Sequence, residues 1–201
     1  MSYGHLLAHA LRELEKATSD YMRQEHIEKA GDTIMACSIA AAIAGVGSGW
    51  LPGAGALIAT TAWVASIWTM YVRVNIVLGI KIKDNILKSL ASAFLTNIIA
   101  SAGTLILYFI AGFALAFIPG LGSLGAVAID GFIGFVTVYA SGLLYIRLLT
   151  KVMKGKGEMD LSDVDINKIV KETTEESNVK DVIKEGKKMF KEAKKKGEFE
   201  K

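Results

Sequence analysis

The sequence predicts an all-α, membrane-embedded protein built from two helical hairpins. Two stretches of the 201-residue chain, 34–72 and 89–129, contain no Asp, Glu, Lys or Arg. A helix needs roughly 20 apolar residues to cross a bilayer, so each stretch is long enough to enter the bilayer, turn and return. The chain is 52% hydrophobic and has only two prolines, which favours long uninterrupted helices.

A short turn motif is repeated near the middle of both stretches. Residues 50–57 read WLPGAGAL and residues 117–124 read FIPGLGSL, so Pro-Gly-x-Gly-x-Leu follows an aromatic and an aliphatic residue in each. Proline and glycine favour a turn between helices. We therefore expect a duplicated pair of hairpins over 34–79 and 84–150, with turns at these residues: Pro52, Gly53, Gly55, Pro119, Gly120 and Gly122.

The N-terminal segment, residues 1–33, predicts an amphipathic helix over 4–30 that precedes the membrane domain. Its apolar stripe recurs at helical spacing and consists of Leu7, Leu11, Leu14 and Tyr21. Gly31 interrupts this pattern, because glycine weakens a helix interior. Asp32 or Thr33 then stands where it can cap the next helix.

The first half of the first hairpin is rich in small residues at four-residue spacing. Ala40 and Ala44 form one such pair, and Gly45 and Gly49 form another. Small side chains at this spacing let helix backbones approach closely in lipid, which provides no hydrophobic drive between helices. We expect these residues to be a helix-packing face that supports a homo-oligomer.

Asp130 is the only charged residue between Lys88 and Arg147. An ionisable side chain within an apolar helix is costly and indicates an ion or proton pathway, or a buried polar contact. Because the apolar run holds no basic partner, we favour a structural or oligomeric contact. Asn97 is a polar residue of the same hairpin that can hydrogen-bond within the membrane.

Residues 151–201 form a charged helical tail of different composition. Asn178 can cap a helix there, and the apolar stripe of that helix consists of Val179, Val182, Ile183, Met189 and Phe190. Because acids nearly balance the lysines, the composition favours a solvated tail. A helix lying on anionic lipid head groups is the alternative.

The distribution of basic residues predicts the topology. Lysines and arginines precede the first hairpin, lie between the hairpins and follow the second, whereas neither Pro-Gly turn carries one. Because cytoplasmic segments carry an excess of lysine and arginine, we expect both termini to be cytoplasmic and both turns to point outward. Hairpins that dip into the bilayer and return without crossing leave the same pattern.

The sequence indicates neither an enzyme nor a cofactor, and a net charge of +3 is too small to indicate nucleic-acid binding. Residues 120–125 match G-x-G-x-x-G, but a dinucleotide site needs a preceding strand and an acidic residue about 20 positions later. Neither is present here. His5, His9 and Glu13 share one helical face, which we interpret as solvated rather than as a metal site. Cys37, the only cysteine, is interpreted as a small buried residue.

Short motifs are spread over residues 34–150. They are LPG at 51–53, WTMY at 68–71, LGI at 78–80, LKSL at 87–90 and IPGLG at 118–122. Together they resemble the YcjF-type membrane domain, an uncharacterised bacterial family often encoded with, or fused to, GTPases. That family usually carries an acidic residue soon after the first proline, where this chain has Ala54 and Gly55. The resemblance implies a bacterial inner-membrane protein that works beside a GTPase.

The sequence as a whole therefore predicts a non-enzymatic integral membrane scaffold or anchor. We expect such a protein to bind the lipid bilayer, to self-associate and to recruit a cytosolic partner such as a GTPase. One alternative is a small oligomeric channel or pore-forming effector. A second alternative is a soluble bundle that inserts its hairpins on triggering.

Overall fold

The computed structural model describes residues 3–18, 22–48, 55–80, 122–155, 172 and 179–199. Within these ranges every regular element is an α-helix, which confirms the predicted all-α class. The helices are α1 (His5–Ala17), α2 (Gln24–Ser48), α3 (Gly55–Val77), α4 (Gly122–Gly155) and α5 (Val179–Lys195).

Helix α4 is the centre of the described bundle. Its residues from 131 to 146 are all buried except Thr137, which is half-buried, and α4 contacts each of the other four described helices. Gly131 lies against Val46 and Gly142 lies against Ile34, so α2 runs antiparallel to α4. Gly134 lies against Trp63 of α3 and Gly142 lies against Met70, so α3 runs parallel to α4.

Glycines on α4 allow the backbone of α2 to come very close. A Cβ atom at Gly134 would lie 2.7 Å from the carbonyl oxygen of Ala41, and one at Gly131 would lie 3.0 Å from that of Ala42. Real Cβ atoms essentially never come as close as 2.7 Å to such an atom, and a separation of 3.0 Å is unusually tight. The small residues that bring these two helices together are therefore provided largely by α4.

The N-terminal segment is divided between two helices, which corrects the single helix predicted over 4–30. Helix α1 ends at Ala17, and α2 is continuous through Gly31. The glycine is needed for packing instead of for a break, because a Cβ at Gly31 would lie 2.8 Å from Leu11 Cδ1 and 2.8 Å from Tyr3 Cζ. Helix α1 therefore lies across α2 at this point.

Helix α3 ends in a Schellman motif at Gly79. This residue adopts a left-handed conformation with φ 67°, which glycine reaches without a steric penalty. The Gly79 N–H donates to the Ile76 carbonyl oxygen at 3.1 Å, and the Ile80 N–H donates to that of Asn75 at 2.9 Å. Both bonds satisfy carbonyl groups that the end of a helix leaves unpaired.

Helix α5 packs against α4, in place of the solvated tail that the composition favoured. Val182 and Met189 of its apolar stripe are buried, while Ile183 and Phe190 are partly buried against the same core. The stripe spans enough turns to bury one whole side of the helix, so packing outweighs the high charge of the other side.

Gly134→Ala is expected to destabilise the bundle by about 1–3 kcal/mol, the usual cost of overpacking. This loss should exceed the gain of about 1 kcal/mol that alanine brings to a helix interior. Gly186→Ala on α5 is the matched control, because a Cβ there would meet Val136 Cγ1 at 3.3 Å, a side-chain atom that can shift. Urea unfolding in mild detergent measures both variants. Equal stability would contradict the close packing of α2 on α4.

Candidate membrane-facing surface and the Glu185 junction

Several predicted site residues lie outside the described part of the chain: Gly49, Pro52, Gly53, Asn97, Pro119 and Gly120. Gly55 and Gly122 are the first residues of α3 and α4, so both helices begin at the corresponding glycine of the repeated motif. Asp130 belongs to α4, but its side chain lies outside the described residues. The hairpin duplication, the Pro-Gly turns and the role of Asp130 remain predictions.

The predicted packing residues of α2 differ in their exposure. Gly45 is buried, Ala44 is half-buried and Ala40 is exposed. The residues of α2 whose backbone meets α4 are Ala41 and Ala42. Ala40 is exposed, so its side of α2 is not packed within the described bundle. The oligomer contact predicted there stays a prediction.

Two described segments, Gln24–Val46 and Gly131–Lys154, are long and apolar enough to cross a membrane. In the most apolar window of the first segment 50% of the residues are buried, against 83% in the second. The core helix of a soluble protein can have the same length and composition as a membrane span. What covers each segment is therefore more informative than its hydropathy.

Between residues 36 and 46 of α2 and between residues 61 and 69 of α3, the exposed residues are uncharged; we call this surface the apolar face, and exposed Lys29 and Arg73 lie beyond it. The apolar face consists of Ala36, Ala40, Ile43, Val46, Thr61, Ala65 and Thr69. Ile43 is 44% exposed and Val46 is 42% exposed. Helical periodicity places these residues opposite the sides of α2 and α3 that contact α4. Exposed aliphatic residues grouped in this way indicate a binding surface.

Helices α1 and α5 turn charged residues outward on another side of α4. We call this surface the basic face; its exposed residues include His5, His9, Arg12, Lys16, Lys184, Lys188 and Lys191, and Asp181 is an exposed acid on the same side of α5. The opposite sides of both helices pack into the core, as their amphipathic patterns require. The described bundle thus has an uncharged stretch on the exposed sides of α2 and α3 and a mainly basic surface formed by α1 and α5.

Glu185 on α5 joins three helices. Its carboxylate accepts hydrogen bonds from the backbone N–H groups of Leu6 at 2.6 Å and Leu7 at 3.1 Å. It also accepts one from the Tyr139 hydroxyl of α4 at 2.7 Å. The first N–H groups of a helix lack partners within that helix, and Gly4 at the N-cap of α1 has no side chain to supply one.

A carboxylate at this position satisfies the orphan donors of α1 and interacts favourably with the positive end of its dipole. A Cβ at Gly4 would overlap the Glu185 side chain, so the close approach depends on glycine at the N-cap. We call Glu185, Tyr139 and the first turn of α1 the Glu185 junction. It ties the two terminal described helices to the central one.

Aromatic rings pack beside the Glu185 junction, between α4 and the C-terminal segment. Phe190 makes edge-to-face contacts with Phe132 and Phe135, with ring centroids 5.3 and 5.6 Å apart. Phe199 stacks on Phe190 at 5.0 Å. Aromatic pairs in these geometries contribute beyond their buried area. The contact of α5 with α4 is therefore mainly apolar, with Glu185 as a polar group at its edge.

Further polar contacts hold α1 to its neighbours. Glu13 accepts hydrogen bonds from Lys154 of α4 at 3.0 Å and from Lys16 at 3.1 Å, and these bonds lower the pKa of the Glu13 carboxyl. The Tyr3 hydroxyl lies 2.9 Å from Asp32 Oδ1 of α2. Burial and this carboxylate raise the pKa of Tyr3, so its hydroxyl stays protonated and can donate.

A pair of buried tyrosines fixes α3 against α4. The rings of Tyr71 and Tyr145 stack with centroids 4.1 Å apart. The Tyr71 hydroxyl shares a hydrogen bond with the Ser141 hydroxyl, and the Tyr145 hydroxyl donates to Asn75 Oδ1 at 2.8 Å. Buried polar groups need such partners, so these bonds set the register between the two helices.

The described residues offer no obvious metal chemistry. No group of three or more His, Cys, Asp and Glu residues among them could hold a metal ion. His5 and His9 are exposed, and Glu13 is bound by two lysines. Cys37 is buried. The arrangement is that of a packed bundle with two contrasting surfaces.

Sequence analysis did not identify Glu185, Tyr139 or the glycines of α4 as functional or packing residues. One signal for Glu185 is present: it follows Val182 by three positions and precedes Met189 by four, which places a charge on the apolar side of α5. Its partners on α1 are 178 and 179 positions away. No local pattern identifies partners at that separation.

Comparison with protein-family models, with curated proteins and with solved structures gives no match for this chain. The resemblance to the YcjF-type membrane domain therefore stays a prediction. The functional argument rests on the two surfaces and on the Glu185 junction.

Glu185 and Tyr139 are expected to behave as a coupled pair. Glu185→Ala removes the cap of α1, and we expect a loss of about 1–2 kcal/mol in the free energy of unfolding. Tyr139→Phe removes only the hydroxyl. The double variant should lose less stability than the sum of the two single losses, by about 0.5 kcal/mol or more, because the two groups share one hydrogen bond. Urea unfolding of the four proteins measures this, and strict additivity would contradict the contact.

The Glu13 carboxyl gives a pH-dependent test of the contact between α1 and α4. Because its pKa is lowered in the folded protein, its contribution to stability is present above the unfolded-state pKa. That contribution is lost as the pH falls through the folded-state pKa. Lys154→Met should raise the pKa of Glu13 towards its ordinary value, whereas Lys191→Met on α5 should not. Carbon-detected NMR titration decides, and an unchanged pKa in Lys154→Met would contradict the pairing.

Proposed function

We propose that the protein is a non-enzymatic membrane scaffold that rests on a lipid bilayer through the apolar face of α2 and α3. The uncharged stretch of exposed residues on α2 and α3, separate from the basic face, supports this most directly. Ile43 and Val46 remain substantially exposed on the apolar face, and moving such side chains from water into the acyl boundary is favourable. The basic face of α1 and α5 then stays in water.

The packed bundle favours contact with one leaflet over a full crossing by α4. Aromatic contacts hold α5 beside Phe132 and Phe135, while Lys154 holds α1 near the other end of α4. A crossing α4 would carry both charged helices into hydrocarbon, where each lysine costs about 2.5–3.5 kcal/mol at the centre. Hairpins that dip into the bilayer and return avoid this cost.

Self-association and partner recruitment belong to the same proposal. Ala36 and Ala40 present small side chains on the apolar face, where a helix of a second copy can approach closely in lipid. The basic face points to water and complements an acidic surface on a soluble protein. The resemblance to the YcjF-type domain is the argument for a GTPase as that protein.

Ile43→Lys is expected to weaken binding to vesicles of phosphatidylcholine and phosphatidylglycerol, because it places a charge within the apolar face. Ile76→Lys is the matched control: Ile76 is 72% exposed, but it lies near the exposed Arg73, beyond the charge-free stretch. We expect vesicle partitioning to fall about tenfold or more for Ile43→Lys, given the cost of lysine in hydrocarbon. Ile76→Lys should change it little.

Flotation on a density gradient measures this partitioning, and circular dichroism confirms that both variants retain their helices. Equal flotation of the two variants would contradict the assignment of α2 to the lipid side. A wild-type protein that stays at the bottom of the gradient would contradict membrane binding itself.

A further inference from the structure

The side of α4 beneath α5 has the composition of a lipid-facing helix. We call it the covered face, and it consists of Phe132, Phe135, Val136 and Tyr139. Phe135 and Tyr139 are fully buried, and the other two are more than nine-tenths buried. The three apolar side chains are followed one turn later by a tyrosine, a residue enriched where hydrocarbon meets water. This surface therefore has the composition of a lipid-binding surface, but α5 covers it.

Helix α5 closes this surface with two kinds of contact. Val182, Met189 and Phe190 supply the apolar part. Glu185 supplies hydrogen bonds to α1 and to Tyr139 of the covered face itself. The same residue thus holds α5 in place and occupies the polar end of the surface that α5 covers.

These two kinds of contact respond differently to a bilayer. In water, the apolar contacts hold α5 on α4, because separation would expose aromatic rings. Beside acyl chains this drive largely disappears, since lipid is as apolar as the side chains of α5. The hydrogen bonds of the Glu185 junction are then the main contacts that keep the surface closed.

The outward side of α5 can bind the membrane surface once the helix has separated from α4. Lys184, Lys188 and Lys191 are exposed along one side of it. Lysines at this spacing are attracted to anionic head groups when a helix lies in the plane of the membrane. The apolar stripe on the opposite side would then rest at the acyl boundary.

We propose that the covered face of α4 is a second lipid-binding surface, exposed when α5 separates from α1 and α4 at the Glu185 junction on an anionic bilayer. The proposal rests on the proposed function, because the protein must first be bound to the membrane. In the closed state the bundle rests on one leaflet through its apolar face. In the open state the covered face of α4 meets the hydrocarbon and α5 lies on the head groups.

A reversible crosslink between α5 and α4 tests this directly. A Cβ at Gly186 would lie 3.3 Å from Val136 Cγ1 and 3.6 Å from Val136 Cα, so side chains at these two positions would be in direct contact and can be joined by a crosslink. Gly186→Cys with Val136→Cys, in a full-length Cys37→Ser background, locks the covered face when oxidised and frees it when reduced. Both forms are incubated with vesicles of phosphatidylcholine and phosphatidylglycerol.

Flotation measures membrane binding, and resistance to alkaline carbonate measures insertion. We expect both forms to float, with the reduced form several-fold more resistant to carbonate than the oxidised form. Equal resistance of the two forms, whether high or low, would overturn the second lipid-binding surface and leave membrane binding intact. If neither form floats, the proposed function and this inference both fail.

A substitution at the junction gives the same test without engineered cysteines. Glu185→Ala should raise the carbonate-resistant fraction several-fold at early times of incubation, because it removes the bonds to α1 and Tyr139. Glu192→Ala is the matched control on the same helix, since the Glu192 carboxylate lies 4.0 Å from the Lys188 ammonium of α5 itself. Identical behaviour of the two variants would overturn the role of the Glu185 junction.

Discussion

The burial of α4 is the constraint on which the described structure depends. This helix carries no charged side chain from residue 131 to 146, and its exposure to water would cost about 25 cal/mol per Å² of apolar surface. Glycines on one side admit α2 and α3, and bulky aromatic residues on another side receive α5. The amphipathic patterns of α1 and α5 follow from this requirement, since each has one side for α4 and one for water.

The Glu185 junction is the polar counterpart of this apolar packing. A helix that begins at glycine has no side-chain cap of its own, so α1 depends on a carboxylate from α5. Because the same carboxylate accepts from Tyr139, the position of α1 is coupled to the register of α5 on α4. The first and last described helices are therefore coupled through one carboxylate, in addition to the apolar contacts that each makes with the core.

The sequence predicted the helices better than their partners. The leucines of α1 and the stripe of α5 were identified because helical periodicity is a local signal. Gly31 was interpreted as a break, whereas it lies inside α2 beneath α1. A glycine indicates either a backbone conformation that other residues avoid or a close approach by another helix. Which of the two applies depends on the neighbouring helix, which the local sequence does not identify. The Glu185 junction was beyond local patterns for the same reason, because its partners come from the far end of the chain.

Composition alone does not decide whether α4 is a protein core or a membrane span, because both environments are apolar. The decisive quantity is a difference in free energy: that of α4 covered by α1 and α5, compared with that of α4 covered by lipid. Beside a bilayer the apolar contributions to that difference nearly cancel. The remainder comes from polar groups: the Glu185 hydrogen bonds, the Glu13–Lys154 pair and the lysines of α5. Under the proposed function, a few exposed or half-buried charges would therefore decide whether α4 is covered by protein or by lipid, since charged groups distinguish water, protein and lipid head groups.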